Sequence, residues 1–206
     1  MVNIKTFVCN PYQQNTYVVH KAGECTCFIV DAGIYSPDEE HALTEYIRRQ
    51  ELTVEAILIT HSHPDHVCGL KRLQTLYPDA AVYRISTETE NETQNDAPER
   101  QSMQDAKGNP EGVILRFTHS KVQIFHTPGH KEDCVCYYLP DEGILFSGDT
   151  LFYGSVGRTD LPGGDYVTLI ESLHLLMKLP ADTKVYSGHG EPTTIGHEKQ
   201  FNPFIH

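Results

Sequence analysis

The segment Val54 to Thr60, Val-Glu-Ala-Ile-Leu-Ile-Thr, is a largely continuous apolar run rich in branched residues. A run of this kind reads as a buried strand with helices packed over its faces. It feeds directly into Thr60-His61-Ser62-His63-Pro64-Asp65-His66. Four ligand-type side chains therefore lie within six residues, at the end of a buried strand, where α/β proteins place their sites. Three imidazoles so close together repel one another when protonated. A divalent cation resolves this, because it needs them neutral and gains from the carboxylate. Imidazole and carboxylate are the usual ligands of zinc and iron.

The surrounding pattern predicts an α/β chain. Asn15 to His20 and Cys25 to Asp31 read as strands separated by the turn Lys21-Ala22-Gly23, and Asp31-Ala32-Gly33 closes the second. Ser36-Pro37-Asp38-Glu39 opens a helix, with Ser36 as cap, Pro37 in the first turn and Glu39 completing a capping box. Leu43, Tyr46 and Ile47 share one face of it. Leu70, Leu73, Leu76 and Tyr77 keep helical spacing up to Pro78. Strands are expected at Ala81 to Ile85, Val113 to Phe117, Lys121 to His126, Val135 to Leu139, Ile144 to Ser147 and Lys184 to Ser187. A helix is expected over Asp165 to Leu179, and a short one between Thr194 and Phe204. Residues 86–112 are polar and nearly free of apolar side chains, which marks a surface insertion or lid within one domain spanning 1–206. The pattern suggests two α/β halves packed sheet on sheet with helices outside.

Charge narrows the partners. The 16 Lys and Arg against 28 Asp and Glu give a net charge of −12. This argues against a nucleic-acid or anionic-membrane protein, since each depends on basic surface. No stretch approaches a membrane span, and the N-terminal residues lack the apolar run of a signal peptide. The six cysteines are expected to be reduced, in a cytoplasmic protein. Cys68 reads as a small packing residue, and Cys25/Cys27 and Cys134/Cys136 as pairs sharing a core face.

Three further pieces follow strands and each offers one ligand beside a glycine that permits a tight turn. They are Thr127-Pro128-Gly129-His130, Ser147-Gly148-Asp149 and Ser187-Gly188-His189-Gly190. Singly they are ordinary turn chemistry; in this order after the first motif they define a site.

The order H-x-H-x-D-H, PGH, GD, GHG resembles the metallo-β-lactamase fold superfamily. Gly148 to Asp165 (GDTLFYGSVGRTDLPGGD) and Gly188 to Phe204 (GHGEPTTIGHEKQFNPF) are similar to short bacterial glyoxalase II-type hydrolases. The resemblance implies a four-layer αββα sandwich with the site at one edge of the two sheets. It implies that His61, His63 and His130 bind one metal, that Asp65, His66 and His189 bind a second, and that Asp149 bridges them. Zinc is the first expectation for both ions, with iron or manganese also accepted by such ligands.

Two adjacent cations lower the pKa of a shared water and polarise an acyl carbonyl. Asp65 and Asp149 are then ligands first, and either can also orient the nucleophile. A thiolate leaves with little need for protonation, so a thioester suits a site without an obvious general acid. The resemblance implies a small glutathione-type acyl-thiol as substrate, with Arg158 meeting its thiol portion and Tyr153 lining the same wall. Longer glyoxalase II enzymes carry an additional C-terminal helical region that this chain is expected to lack. Lys131-Glu132-Asp133-Cys134 replaces the small residues that often follow PGH, and the two acids there are expected to work against an anionic substrate. The alternatives are a mononuclear iron enzyme of the persulfide dioxygenase type and a lactone or β-lactam hydrolase on the same fold. Oligomeric state is not encoded in any motif.

Overall fold

A computed structural model describes residues 1–85, 101–102 and 113–205. The first six strands are β1 (Val2–Cys9), β2 (Gln14–Lys21), β3 (Thr26–Val30), β4 (Thr53–Leu58), β5 (Ala81–Arg84) and β6 (Gln101–Ser102). They form one sheet in sequential order. A second sheet runs β14 (Thr193–Thr194), β13 (Lys184–Ser187), β10 (Ile144–Gly148), β9 (Val135–Leu139), β8 (Lys121–His126) and β7 (Val113–Arg116). A short hairpin joins β11 (Leu151–Phe152) to β12 (Ser155–Val156). The expected insertion falls outside the described residues apart from β6.

Alternation along the strands builds the layers. In the first sheet Tyr17, Val19, Phe28, Val30, Ala56 and Leu58 face inward. They meet Val122, Ile124, Val135, Tyr137, Leu139, Ile144 and Phe146 of the second. The alternate residues Val18, Ile29 and Ile57 turn outward beneath Leu43 and Ile47 of α1 (Pro37–Arg49) and Leu73 of α3 (Leu70–Leu76). On the far side Cys136, Tyr138, Leu145 and Val185 pack under Leu169, Leu173 and Leu176 of α4 (Tyr166–Leu176) and Ile195 of α5 (Ile195–Phe201). Central strands that are apolar on both faces thus require helices on both outer surfaces, and the result is the αββα sandwich.

Helix α1 carries the full capping box: Glu39 N–H donates to Ser36 Oγ, and Ser36 N–H donates to Glu39 Oε2. Helix α4 is capped by Asp165, whose carboxylate accepts from Thr168 N–H at 2.7 Å. It stops at Leu176, three residues short of the expected end, before Pro180. Strand β1 and the β11–β12 hairpin were not foreseen. β1 is an edge strand paired only with β2 and exposes Lys5, Thr6 and Val8, so it lacks a buried-strand pattern. Two-residue strands are too short to show any period.

The topology positions the site. Strands β3, β4 and β5 are parallel, as are β10 and β13. Their carboxyl ends therefore open on the same edge of the sandwich, where the loops after β4, β8, β10 and β13 converge. Among the described residues no helix is long and apolar enough to cross a membrane.

Candidate metal centre

His61 and His63 leave the end of β4, and Asp65 and His66 sit on the single turn α2 (Pro64–Val67) that follows. Pro64 in its first turn fixes the backbone for that turn. His130 comes from the loop after β8, Asp149 from the turn after β10, and His189 from the turn after β13. The structure brings all seven side chains together. The donor atoms of His61, His63 and His130 lie within 4.8 Å of one another, as do those of Asp65, His66 and His189, and those of His61, His66 and Asp149.

Asp149 stands between the two trios. Its Oδ1 is 3.3 Å from His66 Nε2, and its Oδ2 is 3.6 Å from both His130 Nε2 and His189 Nε2. Asp65 Oδ2 is 3.2 Å from His189 Nε2.

Each ring is oriented by its other nitrogen. His66 Nδ1 donates to Asp31 Oδ2 (2.8 Å), His130 Nδ1 to the Arg158 carbonyl (2.7 Å) and His189 Nδ1 to the Tyr12 carbonyl (3.1 Å). Thr60 Oγ1 donates to the Asp31 carboxylate and is 3.1 Å from His61 Nδ1, which it can accept. These bonds aim Nε2 of His61, His66, His130 and His189 inward. His63 is turned the other way. Its Nδ1 is 3.1 Å from His61 Nε2 and 2.8 Å from His130 Nε2.

The donor set fits a cation on its own evidence. His66 Nε2 and Asp149 Oδ1 are buried and without hydrogen-bond partners. Such groups are costly unless something satisfies them. Three imidazoles whose ring nitrogens face one another suit a Lewis acid. Gly188 leaves the required room, since a Cβ there would overlap the Asp149 carboxylate and the His66 ring.

Electrostatics separates the trios. Burial pushes the His61 pKa well below its usual value, reinforced by the neighbouring imidazoles, and His63 is lowered for the same reasons. Burial opposes a proton on His66, but the charges of Asp31 and Asp149 prevail and raise it well above the ordinary value. His189 is also raised: burial opposes it, while the bond to Asp65 and the charge of Asp149 outweigh burial. Burial would lift the carboxyls of Asp65 and Asp149, yet the facing imidazoles hold both below the usual range.

The surroundings of the other residues singled out in the sequence are as follows. Tyr153 is 56% exposed and stacks on His197 of α5 (centroids 4.9 Å, planes 14° apart). Its neighbour Phe152 lies edge-on to His189 at 6.3 Å instead. Arg158 is engaged by Asp160 through two bonds of 2.7 Å, on a well-exposed rim. Asp133 is 3% exposed and turned inward, so of the two acids expected to face substrate only Glu132 is exposed. Cys68 is an exposed residue whose thiol donates back to the Gly33 carbonyl (3.4 Å), with burial of the sulfur raising its pKa. Cys25 is exposed while Cys27, Cys134 and Cys136 are buried.

Supporting residues went unrecognised. Asp31, 1% exposed with φ +61°, accepts from Thr60 N–H, Thr60 Oγ1 and His66 Nδ1, and so links both trios. The only signal was an Asp closing a strand before Ala-Gly. Asn10 Nδ2 donates to the carbonyls of Gly33 and Asp65, and Asn15 Nδ2 to those of Ser187 and Gly190. The amide-rich run Asn10 to Asn15 thus braces both second-trio loops, and nothing in its spacing announces this.

Fold and site define a metallohydrolase of the αββα type. The sequence pattern of the metallo-beta-lactamase superfamily matches residues 9–189, and the chain belongs to that superfamily. It is 34% identical to the probable metallo-hydrolase YqgX of Bacillus subtilis, covering 95% of this chain and 93% of that one. It is 32% identical to the hydroxyacylglutathione hydrolase GloC of Haemophilus influenzae, covering 99% and 98%. The crystal structure of the BLEG-1 B3 metallo-beta-lactamase superposes with a TM-score of 0.82 at 33% identity, covering 100% of this chain and 99% of that one.

Proposed function

We propose that the protein hydrolyses small acyl-thiol esters with two divalent cations, zinc in the first instance, as a cytoplasmic enzyme with no nucleic-acid or membrane partner. The observation that carries this reading is the Asp149 carboxylate set between two trios of inward-facing donors. His61, His63 and His130 would hold one ion, Asp65, His66 and His189 the other, and Asp149 would touch both. Bound ions of this kind supply a water ionised near neutral pH and a Lewis acid for the acyl carbonyl.

The chain's own groups do the rest. Asp31, Thr60 and the carbonyls of Arg158 and Tyr12 lock the imidazole tautomers, so no reorganisation is needed when substrate arrives. Asp65 and Asp149 are ionised, with pKa values held down by their imidazole neighbours, and accept hydrogen bonds that orient the attacking water. Phe152 offers an apolar ring beside His189 for the acyl portion. Arg158, on the rim within one residue of the Gly157 backbone that packs on Asp149 and His130, meets a carboxylate on the thiol carrier once Asp160 yields it. A thiolate departs unprotonated, which matches the absence of a further acid among these groups.

The reading draws support from the likeness to the hydroxyacylglutathione hydrolase of Haemophilus influenzae. The likeness to the B3 metallo-beta-lactamase favours β-lactams as the second substrate class to assay. Elemental analysis paired with S-lactoylglutathione and penicillin hydrolysis, before and after chelation, tests both. Two metals per chain and chelator-sensitive thioester cleavage are expected. One iron per chain with oxygen uptake on glutathione persulfide, or cleavage of the lactam alone, would overturn the thioesterase reading.

A further inference from the structure

Asp133 is a buried carboxylate that the chemistry above does not use. It is 3% exposed and lies in the loop joining His130 to β9. Three alternate residues of this segment meet the residues that directly follow β4 of the other sheet. Asp133 Oδ2 accepts from the Ser62 N–H at 3.0 Å. Val135 N–H donates to the Thr60 carbonyl at 2.8 Å. The Tyr137 hydroxyl donates to the Ile59 carbonyl at 2.8 Å. Alternate residues of an extended chain share a face, so the three contacts form a row that stitches the sheets together. Asp133 is the outermost, and its contact falls on the peptide that joins His61 to Ser62.

Lys131 completes the arrangement. Its Nζ is 3.3 Å from Asp133 Oδ1 and touches Ser62 Oγ. The buried carboxylate is therefore charge-balanced by the residue next to His130. Backbone and side chain of Ser62 are both held by the loop that carries the third imidazole of the trio. The turn that carries His61 and His63 is thereby tied directly to the loop that carries His130.

We propose that Asp133, with Lys131, is a positioning residue that clamps the His61-Ser62-His63 turn against His130 and so presets the three-imidazole trio for a cation. The inference rests on the reading that this trio holds one of two ions. It assigns a metal-tuning role to two residues beyond the donor set itself. Loss of the clamp lets the turn drift and weakens that ion selectively. A carboxylate that served only general stability would weaken both ions alike, or neither.

Competition titration of zinc against a chromophoric chelator reads this directly, with folding followed by circular dichroism melts. In Asp133→Ala one zinc is expected to bind about 10- to 100-fold more weakly, the range seen when groups supporting a ligand are removed. It is the same zinc that His63→Ala eliminates, while the other changes less than about threefold. Asp133→Asn keeps an oxygen for the Ser62 N–H and recovers most of the affinity. Asp133→Ser, polar but too short to reach, behaves like Ala and serves if Ala fails to fold. Folded Ala or Ser variants that bind both zincs like the wild type, or that weaken both equally, overturn the clamp. Wild-type protein that takes up no divalent metal would instead defeat the two-ion reading and the clamp with it.

Discussion

The two donor trios sit a few ångströms apart and are built to opposite electrostatic plans. His61, His63 and His130 are all nitrogen, and burial and mutual repulsion lower the proton affinity of His61 and His63. Asp65, His66 and His189 include a carboxylate and have Asp31 behind them, and the two imidazoles hold their protons more tightly. The first trio is an all-nitrogen pocket suited to a cation. The second is an anionic pocket in which a proton competes with a cation. Asp149 serves both, so removing it should not discriminate, whereas removing a donor that belongs to one trio should.

That contrast can be broken in order of size. Asp149→Ala should strip both ions and lower kcat/KM by about a hundredfold to a thousandfold or more. His63→Ala and Asp65→Ala should each strip one ion by elemental analysis. Loss of both from either single variant would show that the trios are not separate sites. Asp31→Asn should come next. Asp31 bonds His66 directly and reaches His61 through Thr60, so both ions should bind about 10- to 100-fold more weakly in a chelator competition. Weakening confined to one ion would contradict the shared support.

Acidification should separate the trios without mutation. A proton on an imidazole nitrogen excludes the ion, and the raised pKa values of His66 and His189 mean that they regain protons at higher pH than His61 or His63. As pH falls, zinc content by equilibrium dialysis should step from two to one through loss from the second trio. Loss of the first-trio ion at the higher pH would reverse the assignment. The smallest effect is expected at the rim. Arg158 and Asp160 are exposed, and exposed pairs contribute little. Arg158→Ala should raise KM for carboxylate-bearing thioesters by about three- to fivefold and leave neutral ones unaltered. Equal shifts for both would remove Arg158 from substrate contact.

The same division explains what the sequence could disclose. All seven donors were legible because each stands at a strand end, in a short motif, with a glycine or proline that forces the turn. The sandwich was legible in Val54 to Thr60 and in the capping box at Ser36, where local chemistry and global packing agree. The supports were not. Asp31, Asn10, Asn15 and Asp133 act through hydrogen bonds to residues between about 20 and 175 positions away, and no local pattern records such a partnership. Tyr153 and Phe152 show the limit at its finest. Phe152 ends the two-residue strand β11 and Tyr153 opens the turn after it, and which ring lies beside His189 depends on a register that the β11–β12 hairpin sets.

The most direct test is a crystal structure of zinc-loaded protein with anomalous data collected at the zinc edge. The account predicts two peaks, one bonded to His61 Nε2, His63 Nδ1 and His130 Nε2, the other to Asp65, His66 Nε2 and His189 Nε2, with the Asp149 carboxylate between them. A single peak at full occupancy, or zinc bound elsewhere with these side chains turned apart, would contradict it.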